Sequence, residues 1–416
     1  MKYLVFIFTL LSVAYLGFTF KFDGWLEYDF EQPTDLAKFS VIVPFMEVSF
    51  TASGGFKRDN QVIPPYADTL WYNYWYWDEG FLEWKNDYLS IQAGVKQHSV
   101  GPGKIYKLFV RENGFSYPSF RYQTLGRFRI DILWAGLRLV ENDSKPAKGF
   151  NYRSLVYSPF DGLEIAYEES VLYLNRFFDP YYFFIPIPAP GIQEFWHLNA
   201  PWGYPTSLLD DNSMIGGWVR YSAKNYSVYS EFLIDDINMN RFLNPEGFQN
   251  PDKMAFLFGF CGQSGPYTLT FEVAGATAFT FQRTTKIRPY EYVHFEDSNL
   301  SIEQNMIGYK HGENNIACAI SLQYSKDSWS IKTIYEGLIY GTRTPDKPWH
   351  GGSIPSGTHW LVGDVKSQYS FMTRIAYNFT SFLPWFEDLT TGVRFGFVGD
   401  KPFVGFDLSS AVLINQ

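Results

Sequence analysis

The chain has 416 residues, 20% of them aromatic, with two cysteines and a formal net charge of −9. That balance excludes a nucleic-acid binder, which needs a cationic surface, and fits a hydrated acidic interior. Beyond the first twenty residues the longest charge-free stretch, 254–271, is broken in the middle by Gly262-Gln263-Ser264-Gly265-Pro266, and no repeated set of such stretches exists to make a bundle of membrane helices.

The first predicted element is a leader. Lys2 supplies a positive start, residues 3–20 carry no charge, and Lys21 and Asp23 end the run. Residues 1–20 read as a secretory signal peptide, leaving 21–416 as an exported barrel domain. The rival reading is a membrane anchor, since about 18 apolar residues just suffice to span. Strand alternation begins directly afterwards. A strand sends successive side chains to opposite faces, so Leu26, Tyr28 and Phe30 share an apolar face and Glu27, Asp29 and Glu31 an acidic one.

Similar runs recur along the chain, among them 38–51, 67–77, 79–84, 127–140, 161–174, 266–281, 303–311, 364–378 and 402–415. Apolar spacing of 3, 4 and 7 between caps is not sustained anywhere, so no long helix is predicted. Asp78-Glu79-Gly80, Lys326-Asp327-Ser328 and Gly399-Asp400-Lys401-Pro402 are expected to be tight hairpin turns. Four irregular stretches, 98–117, 176–213, 236–252 and 341–363, interrupt the pattern, and long loops in a compact protein are usually functional.

Alternation over the whole length predicts an all-β fold: a single antiparallel transmembrane β-barrel of about 16–18 strands, with loops partly folded into the lumen. Aromatic clusters at Trp71, Trp75 and Trp77, at 181–184 and at Trp385-Phe386 suit its interface girdles. A soluble all-β protein is the competing architecture. In the barrel the outer face meets outer-membrane lipid. Glu27, Asp29, Glu31, Arg129, Asp131, Glu164, Glu168, Arg374 and Asp407 are expected to line the lumen. A homo-oligomer is compatible with this and is set by no motif.

Chemistry-bearing motifs are sparse. Cys261 and Cys318 fall in separate strand-like runs and read as unpaired thiols rather than a disulfide. Cys/His spacing for a metal is absent, and no cofactor is expected. The pairs Asp210/Asp211 and Asp235/Asp236 are sequence neighbours that face opposite ways on a strand. They therefore do not form the dyad of a glycosidase, whose carboxylates stand about 5–10 Å apart. Catalytic residues are not predicted. The loop carrying Trp349, His350 and Trp360 combines rings and polar groups suited to sugar contacts, and Lys96 and His98 join it as glycan-binding candidates.

The motif order carries one resemblance. Gly94 and Lys96 end a strand, the turn Gly101-Pro102-Gly103 follows, Asp210-Asp211-Asn212 opens a Gly-containing strand, and Tyr229, Glu231, Asp235 and Asp236 close a hairpin. This order resembles the capsule-assembly outer-membrane family typified by Wzi, over residues 86–240. Val100 stands where the family pattern has tryptophan, and Lys96 where it has arginine. The resemblance implies an outer-membrane barrel of about 18 strands that attaches or assembles surface polysaccharide without catalysis. The alternatives are a passive porin for small polar solutes and a secreted soluble glycan-active enzyme. A lumen plugged by 98–117 and 176–213 would favour the glycan role, and an open one the porin.

Overall fold

A computed structural model describes residues 18–29, 33–58, 69–70, 73–112, 115–139, 146–198, 211–238, 240–247, 249–282, 292–294, 300–342, 357–379 and 388–414. The first strands are β1 (Phe18–Asp29), β2 (Pro33–Phe45), β3 (Val48–Arg58), β4 (Thr69–Leu70), β5 (Asn73–Lys85), β6 (Leu89–Lys96), β7 (Tyr117–Thr124), β8 (Phe128–Arg138), β9 (Lys148–Phe160) and β10 (Leu163–Leu174). After two short helices, α1 (Pro180–Phe184) and α2 (Ala189–Leu198), come β11 (Asn212–Ser222), β12 (Tyr226–Asp236), α3 (Asn240–Leu243), β13 (Pro251–Ser264) and β14 (Tyr267–Ala276). The chain continues through α4 (Ile302–Asn305), β15 (Asn315–Lys326), β16 (Trp329–Tyr340), β17 (Gly357–Thr358), β18 (Lys366–Asn378), β19 (Asp388–Val398) and β20 (Lys401–Ile414).

Apart from the two-residue pieces β4 and β17, these strands form one antiparallel sheet in which each pairs with its neighbours in the chain. The ladder returns on itself, because β1 pairs with β2 on one side and with β20 on the other. Among the described residues no helix is long and apolar enough to cross a membrane. The fold is an antiparallel transmembrane β-barrel. Short turns such as 46–47, 161–162, 265–266 and 327–328 share one rim, and the long connections 97–116, 175–211, 237–250 and 277–314 leave from the opposite one. In outer-membrane barrels the rim with long loops is the extracellular one.

The period of two is visible in exposure. Leu257 on β13 is fully buried while its neighbour Phe258 is 58% exposed. Apolar side chains such as Phe128, Leu155, Val228, Phe232, Leu269, Ile320 and Phe406 likewise stand exposed around the wall. Toward the axis, Leu133, Ala135, Leu172, Met214, Leu233, Ala255, Leu257, Ala274 and Ala317 join one buried cluster with Tyr106, Leu108, Phe109, Tyr292, Ile307 and Tyr309 from the connections. Loops therefore fill part of the lumen.

Several expected boundaries are displaced. The run 38–51 is two strands broken at Met46, whose φ is 55°. Asp78-Glu79-Gly80 is not a turn but the middle of β5, beside a register shift between Ala52 and Gly54. Its polar residues face partners inside the wall: Asp78 pairs with Lys38 and accepts Ser116 Oγ at 2.7 Å, and Glu79 N donates to Ser53 Oγ at 3.1 Å. The run 266–281 leaves the wall at Ala276, and 303–311 contains α4 rather than a strand. Ser301 and Gln304 form a reciprocal capping box there, which starts a helical turn in place of an extended run.

The outer face predicts a measurable cost. Phe258→Arg places a cation toward lipid near the middle of β13, and should lower unfolding stability in lipid vesicles by about 2–4 kcal/mol. Urea titration of the vesicle-inserted protein reads this. An unchanged midpoint would place Phe258 away from lipid.

Candidate functional site

The first segment to enter the lumen is the connection 97–116. Val100 N bonds Val110 O at 3.1 Å, which closes the segment into a compact loop. Glu272, inward on β14, receives its tip: Lys104 N at 2.5 Å, Ile105 N at 3.0 Å and Tyr106 N at 2.8 Å. Tyr229 Oη donates to the same carboxylate at 2.5 Å. Successive amides converging on one anion make a nest, and the charge strengthens each bond.

Gly101 and Gly103 permit this seating. Gly101 has φ +79°, and a Cβ there would stand 2.8 Å from Glu231 Oε1. At Gly103 a Cβ would meet Tyr106 O at 2.0 Å and Leu257 at 2.7 Å. Lys107 Nζ closes the turn by donating to Gly101 O at 2.9 Å. Tyr106 Oη then reaches Glu336 on β16 at 2.7 Å, where Lys310 and His311 also bond.

A second segment between β14 and β15 adds to the filling. Arg111 N donates to Ile307 O at 2.9 Å, and Tyr292 Oη donates to Phe109 O at 2.8 Å. A Cβ at Gly308 would lie 1.9 Å from Leu108 O, so the two segments touch backbone to backbone. Wall side chains cap the second segment too. Lys148 Nζ donates to Val293 O at 2.8 Å, Lys253 Nζ to Gln282 O at 2.8 Å, and Asp235 accepts Phe281 N at 2.8 Å. Glu313 accepts Phe279 N.

Some of the motif residues named from sequence meet at the seat of the first loop and others do not. Tyr229, Glu231, Gly101 and Gly103 adjoin it, Asp235 holds the second segment, and Asp236 accepts from Asn250 Nδ2 at 3.2 Å. Gly94, with φ +138°, packs against Gly80 O of the neighbouring strand, and Pro102 is buried between the two glycines of its turn. Lys96 lies over the Phe81 ring at 3.8 Å. His98 is 2% exposed with Nε2 at 2.8 Å from Ser119 Oγ. Burial, with help from Arg121 and Lys96, pushes its pKa down to about 3.

The remaining inward acids and bases pair with one another: Arg121 with Asp131, Glu164 with both Arg129 and Arg220, and Asp407 with Arg374 and Arg394. Glu168 accepts Tyr152 Oη at 2.5 Å and is fully buried. Trp360 meets Phe256 edge-on at 5.8 Å. Phe256 and the exposed Phe258 belong to the outward set of β13, so Trp360 sits against the outer wall. Trp349, His350 and Glu31 lie outside the described residues, as do the side chains of Glu27 and Asp29. The β1 register sets Glu27 opposite Gly405 and Leu26 opposite Phe406. Cys261 and Cys318 are free, and Cys261 Sγ accepts Thr270 Oγ at 3.6 Å.

Glu272, Tyr106, Tyr292, Lys148 and Glu336 were not singled out by sequence. The one available signal was a lone acid inside an apolar run, as in Thr270-Phe271-Glu272-Val273.

No family model and no curated protein matches the chain. Among solved structures it is similar to Wzi of Escherichia coli, an outer-membrane protein involved in group 1 capsule assembly and described as a carbohydrate-binding β-barrel. The TM-score is 0.58 at 13% identity, covering 98% of this chain and 87% of that one. It is also similar to OccK8 (OprE) of Pseudomonas aeruginosa, at TM-score 0.51 and 10% identity over 96% and 98% of the two chains. OccD3 (OpdP) of the same organism gives 0.52 at 11%, over 95% and 90%. These likenesses show the fold, and they support an outer-membrane location.

Two predictions follow from the seat. Glu272→Ala removes the acceptor of three amides, of which that of Tyr106 is buried and costs about 1–3 kcal/mol when stranded; hydrogen exchange in 104–106 should rise while that of β14 stays slow. Equal protection in both proteins would show that the carboxylate does not hold the loop. His98 in the unfolded chain takes a proton near pH 6.5 and in the folded chain only near 3, so the unfolded state binds more protons between those values. Stability should therefore fall as pH drops below about 6.5, and His98→Asn should flatten that slope in unfolding midpoints measured between pH 7 and 5.

Proposed function

We propose that this barrel is a non-catalytic outer-membrane protein that attaches or assembles surface polysaccharide of the capsule type. The loop-filled part of the lumen carries the reading: loop residues Tyr106, Leu108 and Phe109 and their partners Tyr292, Ile307 and Tyr309 are buried to 1% exposure or less inside the wall. A pore for solutes needs a continuous hydrated path, whereas a plugged barrel suits a platform whose extracellular loops hold a ligand. The motif order around Gly101 and Glu231 and the similarity to Wzi, itself described as carbohydrate-binding, point the same way. Trp349, His350, Trp360 and Lys96 remain the candidate glycan contacts. The exposed apolar outer face speaks against a secreted soluble enzyme.

The second reading is a passive porin. The observation favouring it is the polar inner sector away from the plug, where Arg374 and Arg394 beside Asp407 keep 33% and 22% of their side chains exposed.

Planar-bilayer recording and polysaccharide-coated beads separate the two. The reading expects retention on the beads and no steady conductance steps. Regular steps without retention would overturn it in favour of the porin.

A further inference from the structure

The connection 175–198 does not enter the lumen. It lies on the outer wall, where Gln193 of α2 accepts Ser213 N at 3.1 Å and Ser213 Oγ at 2.6 Å. Tyr182 of α1 stacks on Tyr173 at 5.8 Å, within a buried cluster that also holds Val171, Ala189 and Ile192. Below it runs a cross-strand row on the outward face: Tyr122, Ile132, Arg153, Glu169, Ile215 and Ile234. An otherwise apolar row thus contains one ion pair, Arg153 with Glu169.

That pair pegs the connection down. Arg153 donates to Ile185 O and, at 2.6 Å, to Ile187 O, while Glu169 Oε2 accepts Ala189 N at 2.7 Å. Pro186, Pro188 and Pro190 alternate with these residues and have no N–H to satisfy. Irregular backbone facing lipid needs partners for its polar groups; here Arg153 takes the Ile185 and Ile187 carbonyls, Pro188 O accepts Gly191 N at 2.9 Å, and the three prolines remove donors. Between strap and wall lies a groove of about 240 Å³, lined chiefly by Ile130, Ile132, Leu155, Tyr167, Phe184 and Ile187. Phe184 is 70% and Ile187 50% exposed at its edge, continuous with the exposed apolar face of the barrel.

We propose that this groove holds one acyl chain of a membrane lipid, clasped between the prolyl strap and strands β8–β10. The charged residues beside it, Arg153 and Glu169, are engaged by the strap and leave an apolar slot. Continuity with the lipid-facing wall selects a membrane lipid as the occupant, and the site owes nothing to the glycan reading.

The test uses the full chain in phosphatidylcholine vesicles doped with a phospholipid bearing a diazirine in its acyl chain. After irradiation and digestion, mass spectrometry compares label on 183–188 with label on the exposed outer positions Ile316, Ile320 and Leu322 of β15. The strap should carry several-fold more label per residue, and Leu155→Trp, which fills the groove, should reduce it to the β15 level. Strap label at or below that of β15 in the natural chain overturns the proposal, as does label unmoved by Leu155→Trp. Absence of label from both stretches overturns it together with the membrane placement on which it rests. Should Leu155→Trp not assemble, the ratio in the natural chain decides alone.

Discussion

A peptide group removed from water must find a partner, and this requirement organises the molecule at three places. In the wall it is met by the ladder that runs from β1 round to β20 and back. In the lumen, where loops have no ladder of their own, wall side chains take over: Glu272 and Asp235 accept amides, and Lys148 and Lys253 give to carbonyls, while Glu313 accepts an amide within its own connection. On the outer surface Arg153 and Glu169 do the same for the prolyl strap. A set of charged residues inside the barrel thus acts as caps for irregular backbone rather than as a solvated lining.

That division sets what the lumen can do. Ion pairs such as Arg129–Glu164–Arg220 and Arg121–Asp131 pair part of the inward charge locally. Aromatic side chains of the inserted loops occupy the centre, held by bonds that span most of the chain, such as Tyr106 to Glu336. A binding platform needs such rigidity under its loops, because ordering a loop at the moment of binding costs conformational entropy.

The wall and the entry of loops into the lumen were legible in the sequence, while the contacts that hold the plug were not, for a physical reason. Alternation is a local property: each strand must show an apolar outer face whatever surrounds it, and Phe256, Phe258 and Phe260 announce themselves. Polar residues inside a barrel resemble turn residues, which is why Asp78-Glu79-Gly80 read as a hairpin when their partners are Lys38, Ser53 and Ser116. The stretch 277–314 hides for the opposite cause. Buried inside, its Phe281, Tyr292, Ile307 and Tyr309 are as apolar as any strand. The Gly-Pro-Gly turn was visible as a motif, yet Glu272, which receives the amides beyond it, is 166 residues away from Tyr106 in sequence.

That separation has a kinetic side. The loop between β6 and β7 cannot be seated until β14 has joined the wall, and the segment that packs over it arrives only with the connection to β15. Contacts of such long range form late, after the entropy of closing the intervening chain has been overcome. The carboxylates of Glu231 and Glu272 that lie beneath the seated loop are buried in the finished barrel, so seating the plug is also what takes them out of water.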